Sequence, residues 1–298
     1  MKKITIEANA KPVIEIRADL GEGAVWDSVN KALYWLDILG KKLFIYYPIS
    51  GINKEIKFNK EIGAVVPRQS GGVILALKGG FASYNFNSGK LQKLITVEQD
   101  KPANRFNDGK CDPAGRFWAG TMNFNGAPNA GSLYYLDTNL TVKKIIKGVT
   151  ISNGITWSVD EKIMYYIDSS TYSVVSFDYD KFSGNIKNKK TVIKINPSYG
   201  VPDGMTIDKE GMLWIALFNG GKISRWNPIT GNLIGLLEIP GAKQITSCAF
   251  GGSDMKDLYV TTATHGLTKN ELGHQRYAGS LFKARLNIAG IPSWQFLG

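Results

Sequence analysis

Pro202-Asp203-Gly204-Met205-Thr206-Ile207-Asp208-Lys209-Glu210-Gly211-Met212-Leu213-Trp214-Ile215-Ala216 is the stretch that decides the fold. A polar residue, Asp203, precedes a glycine. A short apolar run follows, and a turn around residues 208–211 delivers a second run from Met212 to Ala216. Two apolar and aromatic runs flanking a Gly-containing turn read as a β-hairpin. The chain repeats this pattern six times. Residues 22–27 lead into 32–37, 62–66 into 72–77, and 108–115 into 116–120; residues 153–160 lead into 163–168, the quoted stretch is the fifth copy, and 246–252 lead into 257–262.

Successive copies are 40 to 50 residues apart. That period, with about four short strands per unit, predicts a six-bladed β-propeller, all-β, with four-stranded antiparallel blades around a central channel. A β-sandwich built from unrelated hairpins is the competing reading. It is disfavoured because the copies share residue types at matched offsets as well as spacing. Length alone would suggest about two domains, but a propeller uses residues 1–298 as one, and no Pro/Ser-rich linker interrupts the chain. One terminus is expected to pair into the other's blade, covering an edge that would otherwise stay open.

The formal net charge is +11, from 36 basic and 25 acidic residues. The lysines are scattered, as at Lys41-Lys42, Lys143-Lys144 and residues 187–190, with no nucleic-acid module. This reads as a solvated basic surface whose field favours anionic substrates or products. Residues 1–11 lack a continuous apolar core, so no leader peptide is expected. No run approaches the ~18 apolar residues of a membrane span. Cys111 and Cys248 occupy equivalent innermost segments of blades three and six and read as buried, reduced thiols. The expectation is a cytoplasmic monomer or weak dimer without nucleic-acid or membrane partners.

Equivalent positions in a propeller share one height and radius about the axis. The residue before each glycine therefore forms a ring at one mouth of the channel: Glu22, Ile62, Asp108, Asn153, Asp203 and Thr246. Three carboxylates converging there would repel one another unless neutralised. An oxygen-only set containing Glu22, Asn153 and Asp203 suits one divalent cation, Ca²⁺, Mg²⁺ or Mn²⁺ better than a structural Zn²⁺. For any one copy alone, Asp or Asn capping a turn next to Gly would be the plainer explanation. Upstream, Arg105 and Asn107 offer a fixed positive fork and an amide for an oxygen-rich substrate, and residues 123–130 read as a long rim loop able to act as a lid. His265 and His274 are the only histidines, both late in the chain. A His₃ zinc site therefore cannot be built, and no GxSxG elbow, P-loop or dinucleotide fingerprint is present.

Together these residues resemble the SMP-30/gluconolactonase/luciferin-regenerating-enzyme family. The likeness is carried by Gly21-Glu22-Gly23-Ala24-Val25-Trp26, by Asn104-Arg105-Phe106-Asn107-Asp108-Gly109-Lys110 with residues 112–115 and 119–122, by residues 151–154 with Trp157, by residues 164–168 and by Pro202-Asp203-Gly204. It covers essentially the whole chain. The resemblance implies a six-bladed propeller with one divalent metal (Ca²⁺, or Zn²⁺, Mn²⁺ or Mg²⁺) on Glu22, Asn153 and Asp203. It further implies Arg105 and Asn107 at the substrate, Asp203 as the catalytic carboxylate, and Asp108 shaping the pocket. The regucalcin-like sugar lactonases of this family carry a Glu on the rim loop where this chain has Asn125, a departure bearing on substrate preference. The function expected is a metal-dependent lactonase, in which the cation polarises the lactone carbonyl and activates water. Luciferin-regenerating or phosphotriesterase chemistry on the same site, and a non-catalytic Ca²⁺-binding role, are the alternatives.

Overall fold

The structure is a computed structural model that describes Ile6 and residues 8–298; the reading of the first residues as lacking a leader falls largely on residues 1–5 and 7, outside the described set. It is a six-bladed β-propeller, with six four-stranded antiparallel sheets arranged in a ring. The innermost strands are Gly21–Asp27, Ile62–Pro67, Asn104–Cys111, Ser152–Trp157, Val201–Ile207 and Ile245–Gly251. Five of them begin within two residues of the ring position of the repeat, and the third starts four residues ahead of Asp108. Their second strands, such as Ala32–Asp37, Ile163–Asp168 and Asp257–Thr262, fall where the repeat places them. Outermost strands such as Ile186–Lys194 are mostly exposed, whereas most inner strands are buried throughout. This is why inner strands read as continuous apolar runs and outer strands carry the lysines.

Ring closure uses the N-terminal segment. Lys11–Ile14 pairs antiparallel with Leu281–Arg285 and completes the sixth blade, whose other strands come from the end of the chain. The remaining C-terminal residues cross the mouth where the inner strands end. Lys209 N–H donates to the Ala289 carbonyl, Trp294 packs edge-on against Trp157 at 6.1 Å, and Phe296 N–H donates to the Pro67 carbonyl. The Phe296 ring is fully buried among Val66, Cys111 and Phe117. One departure from the all-β reading is a short helix, Lys269–His274, with a Thr268/Glu271 capping box.

Apolar clusters lie between neighbouring blades, for example Tyr34, Leu43, Val65 and Leu75 between blades one and two. Turns are fastened by a second set of carboxylates. Asp112 Oδ1 accepts from Ala114 N and Arg116 N, both at 2.9 Å, and Oδ2 accepts from Trp118 Nε1 at 2.8 Å and the Tyr179 hydroxyl at 2.7 Å. Asp27 and Asp208 hold their own turns in the same way. These aspartates recur with the repeat because each satisfies turn N–H groups that would otherwise be buried without partners.

Asp112→Ala is expected to cost about 3–5 kcal/mol, because it strips a fully buried carboxylate and strands Arg116, Trp118 and Tyr179. A urea unfolding midpoint within experimental error of wild type would contradict that role for Asp112.

Candidate active site

At the mouth where the inner strands begin, every inner strand carries a register irregularity at the position of the polar residue. The shifts fall between Glu22 and Val25, Ile62 and Ala64, Phe106 and Asp108, Ser152 and Ile155, Pro202 and Met205, and Ile245 and Ser247. A bulge leaves a residue out of the ladder and re-aims its side chain, here toward the axis. The glycines let neighbouring strands touch backbone to backbone. A Cβ on Gly154 would sit 2.7 Å from the Asp203 carbonyl oxygen, and one on Gly63 would strike the Phe106 carbonyl and come within 2.7 Å of Asn107 N. Close approach, rather than turn geometry, fixes glycine at these two positions.

The result is a buried cluster of Glu22, Asp108, Asn153 and Asp203. Glu22 Oε2 accepts from Gly23 N at 2.9 Å and Asp108 Oδ1 from Gly109 N at 2.7 Å. Asn153 Nδ2 donates to Ser169 Oγ at 3.0 Å, and that hydroxyl donates to the Pro202 carbonyl at 2.6 Å. Ser169 thereby fixes the amide with its oxygen turned the other way. Asn153 Oδ1 and Asp203 Oδ1 are buried and accept no hydrogen bond. Burial, and then the charges of neighbouring carboxylates, push Glu22 and Asp203 well above the usual carboxylate range. Asp108 is raised by burial but held back by the Lys110 ammonium.

Two cations of the chain itself face this cluster. Arg105 is buried, with Nη1 donating to the Phe106 carbonyl at 3.0 Å and to Asn107 Oδ1 at 2.6 Å; its Nε–H has no partner. Its charge acts on Glu22, Glu61 and Asp203, so it stands between the cluster and the rim. Desolvation lowers it to about 10, leaving it charged at neutral pH. Lys110 Nζ donates to the Met205 carbonyl at 2.8 Å. With all three carboxylates ionised, the two cations leave one negative charge, and two buried oxygens lack donors. A hard divalent cation, ligated by oxygen and needing no hydrogen, answers both deficits, and Glu22, Asn153 and Asp203 fit it. Among the described residues no three His, Cys, Asp or Glu side chains form a metal-holding group. The set here has two carboxylates and relies on an amide for its third oxygen.

Asn107 lies beside the cluster, but both ends of its amide are engaged: Oδ1 accepts from Arg105 and Nδ2 donates to the Ser152 carbonyl at 2.8 Å. It braces Arg105 against blade four. Asn125 is exposed on the rim loop, where its backbone N–H donates to Asn123 Oδ1 at 2.9 Å. Phe124, itself exposed, is the loop residue whose ring lies near these cations, 5.6 Å from the Arg105 guanidinium carbon and 4.7 Å from Lys78 Nζ. Lys110 and Phe124 are absent from the set read off the repeat. Lys110 was legible: two residues beyond the polar ring, the other blades carry Ala24, Ala64, Ile155, Met205 and Cys248, so one charge stands in an apolar column. Phe124 had no such signal, because a loop has no periodicity to read. Cys111 and Cys248 are buried free thiols, and no helix among the described residues is long and apolar enough to cross a membrane.

Residues 20–264 match the family model described as SMP-30/Gluconolactonase/LRE-like region. YvrE of Bacillus subtilis (strain 168), whose name carries a provisional sugar lactone lactonase assignment, is 42% identical over 284 residues, covering 95% of this chain and 97% of that protein. Regucalcin of Oryctolagus cuniculus is 41% identical over the full length of both chains. Among solved structures, a calcium-binding regucalcin from Agrobacterium tumefaciens superposes with a TM-score of 0.94 at 26% identity, covering 99% of each chain. A luciferin-regenerating enzyme gives 0.91 at 30% identity, over 98% of this chain and all of the other.

The raised carboxylates have a consequence for stability without metal. A carboxyl whose folded pKa lies above its unfolded value is stabilising only while protonated. Its contribution falls as pH rises from the ordinary carboxylate range up to the folded pKa. Metal-free wild type should therefore lose stability relative to Asp203→Asn as pH rises above the ordinary carboxylate range, by up to about 1.4 kcal/mol per pH unit for one proton. Thermal melts in chelator across that rise measure it; parallel pH profiles would contradict the stored repulsion.

Proposed function

This chain belongs to the SMP-30/gluconolactonase/LRE-like family, and we propose that within it the chain is a divalent-metal-dependent lactonase acting on a small-molecule sugar lactone in the cytoplasm. The observation that carries this reading is the pair of buried, donorless oxygens on Asn153 and Asp203 beside the Glu22 carboxylate. Glu22, Asn153 and Asp203 are the residues that would hold the cation. A regucalcin described as calcium-binding shares the fold across the whole chain, and a relative named for sugar lactones is 42% identical. When bound, such a cation supplies Lewis-acid polarisation of a carbonyl and lowers the pKa of water.

The chain's own groups divide the remaining work. Asp203 accepts a proton from the water that attacks the lactone carbonyl. The acyl C–O bond of the ring then breaks, the ring oxygen takes up a proton to become a hydroxyl, and the product is the open hydroxy acid. Arg105 carries a buried N–H without a partner and orients the substrate's ring oxygens, and Asn107 holds that guanidinium in place. Asp108 and Lys110 set the local charge deeper in the channel. Phe124 covers Arg105 from the solvent side, lowering the dielectric in which these groups act.

Purified protein should hydrolyse D-glucono-δ-lactone only after loading with Ca²⁺, Mn²⁺ or Zn²⁺. Asp203→Ala should lower kcat by at least about a hundredfold. Arg105→Ala should mainly raise KM, by about tenfold or more, through loss of ground-state binding. Metal-independent turnover would overturn the mechanism. Tight metal binding without turnover of any lactone would replace it with a purely cation-binding role.

A further inference from the structure

Beside the buried cluster, and sharing Arg105 with it, lies a second cleft of about 420 Å³ on the same rim. It is built where blades one, two and three meet. Lys41, Lys60, Lys78 and Lys101 converge on it with Arg105, against only two carboxylates, Glu61 and Glu98. Both carboxylates are already committed. Glu61 pairs with Lys41 at 3.4 Å. Glu98 accepts from Asn104 Nδ2 at 2.9 Å, Thr121 Oγ1 at 3.2 Å and the Tyr134 hydroxyl at 2.9 Å, and lies 3.9 Å from Lys101 Nζ. Lys60, Lys78 and Arg105 have no ion-pair partner among the described residues. Lys78 and Arg105 instead share one face-bearing neighbour, the Phe124 ring.

Two lysines without ion pairs, beside a buried guanidinium that faces the carboxylate cluster but keeps an unpartnered Nε–H, are complementary to an anion. A neutral polyol would leave that charge unanswered. We propose that this cleft is the second half of the substrate site and binds an anionic group, phosphoryl or carboxylate, carried on the substituent of the lactone ring away from the reacting carbonyl. The proposal rests on the lactonase reading for its substrate class. It adds that the preferred substrates are acidic lactones, with Arg105 bridging the ring to Lys60 and Lys78. It also gives the basic net charge a local use. Such a lactone must come from oxidation of a phosphorylated sugar or of a sugar acid at its anomeric carbon, the class of reaction that leaves a lactone with a second acidic group.

The test measures binding of open-chain product acids by isothermal titration, so it does not depend on turnover. The probes are D-gluconate, with no acid at the far end, 6-phospho-D-gluconate and D-glucarate. Wild type is expected to bind at least one of the last two about tenfold more tightly than gluconate, as one charge-assisted contact gives. Which of them gains tells phosphoryl from carboxylate. In Lys60→Ala/Lys78→Ala the preference should shrink to about twofold or less, in Lys60→Arg/Lys78→Arg it should persist, and added salt should erode it. Equal binding of all three acids, no binding, or a preference untouched in the alanine pair overturns the proposal. Hydrolysis of D-glucono-δ-lactone, run alongside, reports on the lactonase reading separately. A preference without turnover would sink that reading and leave the anion cleft standing.

Discussion

The structure depends on six inner strands brought close enough around one axis for their backbones to touch. That approach is possible because glycine stands where the strands meet, at Gly63 against Phe106, Gly154 against Asp203 and Gly204 against Ser247. The same approach crowds Glu22, Asp108, Asn153 and Asp203 into a volume with little water and few donors. Bulges at that height turn the side chains inward, where a regular ladder would have alternated them into the blade interfaces. The fold's closest contact and its least comfortable charges are one feature.

Two populations of buried carboxylate make the contrast plain. Asp112 is surrounded by two backbone N–H groups, an indole, a phenol and a guanidinium, so burying it is repaid in hydrogen bonds. Asp203 is buried as deeply but keeps an oxygen without a donor and lies in the field of Asp108. Both recur with the blade repeat, at opposite ends of the inner strand. The satisfied set holds the turns together. The unsatisfied set is held in place by the rest of the molecule, the circumstance in which strain persists at a working site.

Around the rim, charge is distributed with similar economy. Arg105 lies within reach of Glu22 and Asp203 on one side and Glu61 on the other, and Asn107 clamps it to the neighbouring blade. It therefore joins the buried cluster to the lysine-lined cleft. Phe124 lies over it from a loop of exposed residues, itself among them. A ligand bridging the two halves would meet oxygen acceptors at one end and cations at the other.

The sequence alone determined the blade count, the inner strands and the ring of polar residues at the channel mouth, because a repeat of 40 to 50 residues converts one recognisable hairpin into a symmetric array. It also marked Lys110, had the next column been read. It did not determine that Asn107 spends its amide on Arg105 and Ser152, that Phe124 rather than Asn125 lies against Arg105, or that Lys41, Lys60, Lys78 and Lys101 meet in one cleft. Those lysines lie in four different connections between strands, spread over 60 positions of the chain. Periodicity fixes where a strand residue points, since each step along a strand rotates its side chain by half a turn. Loop residues obey no such rule, and only the packing of one blade against the next decides what their side chains reach.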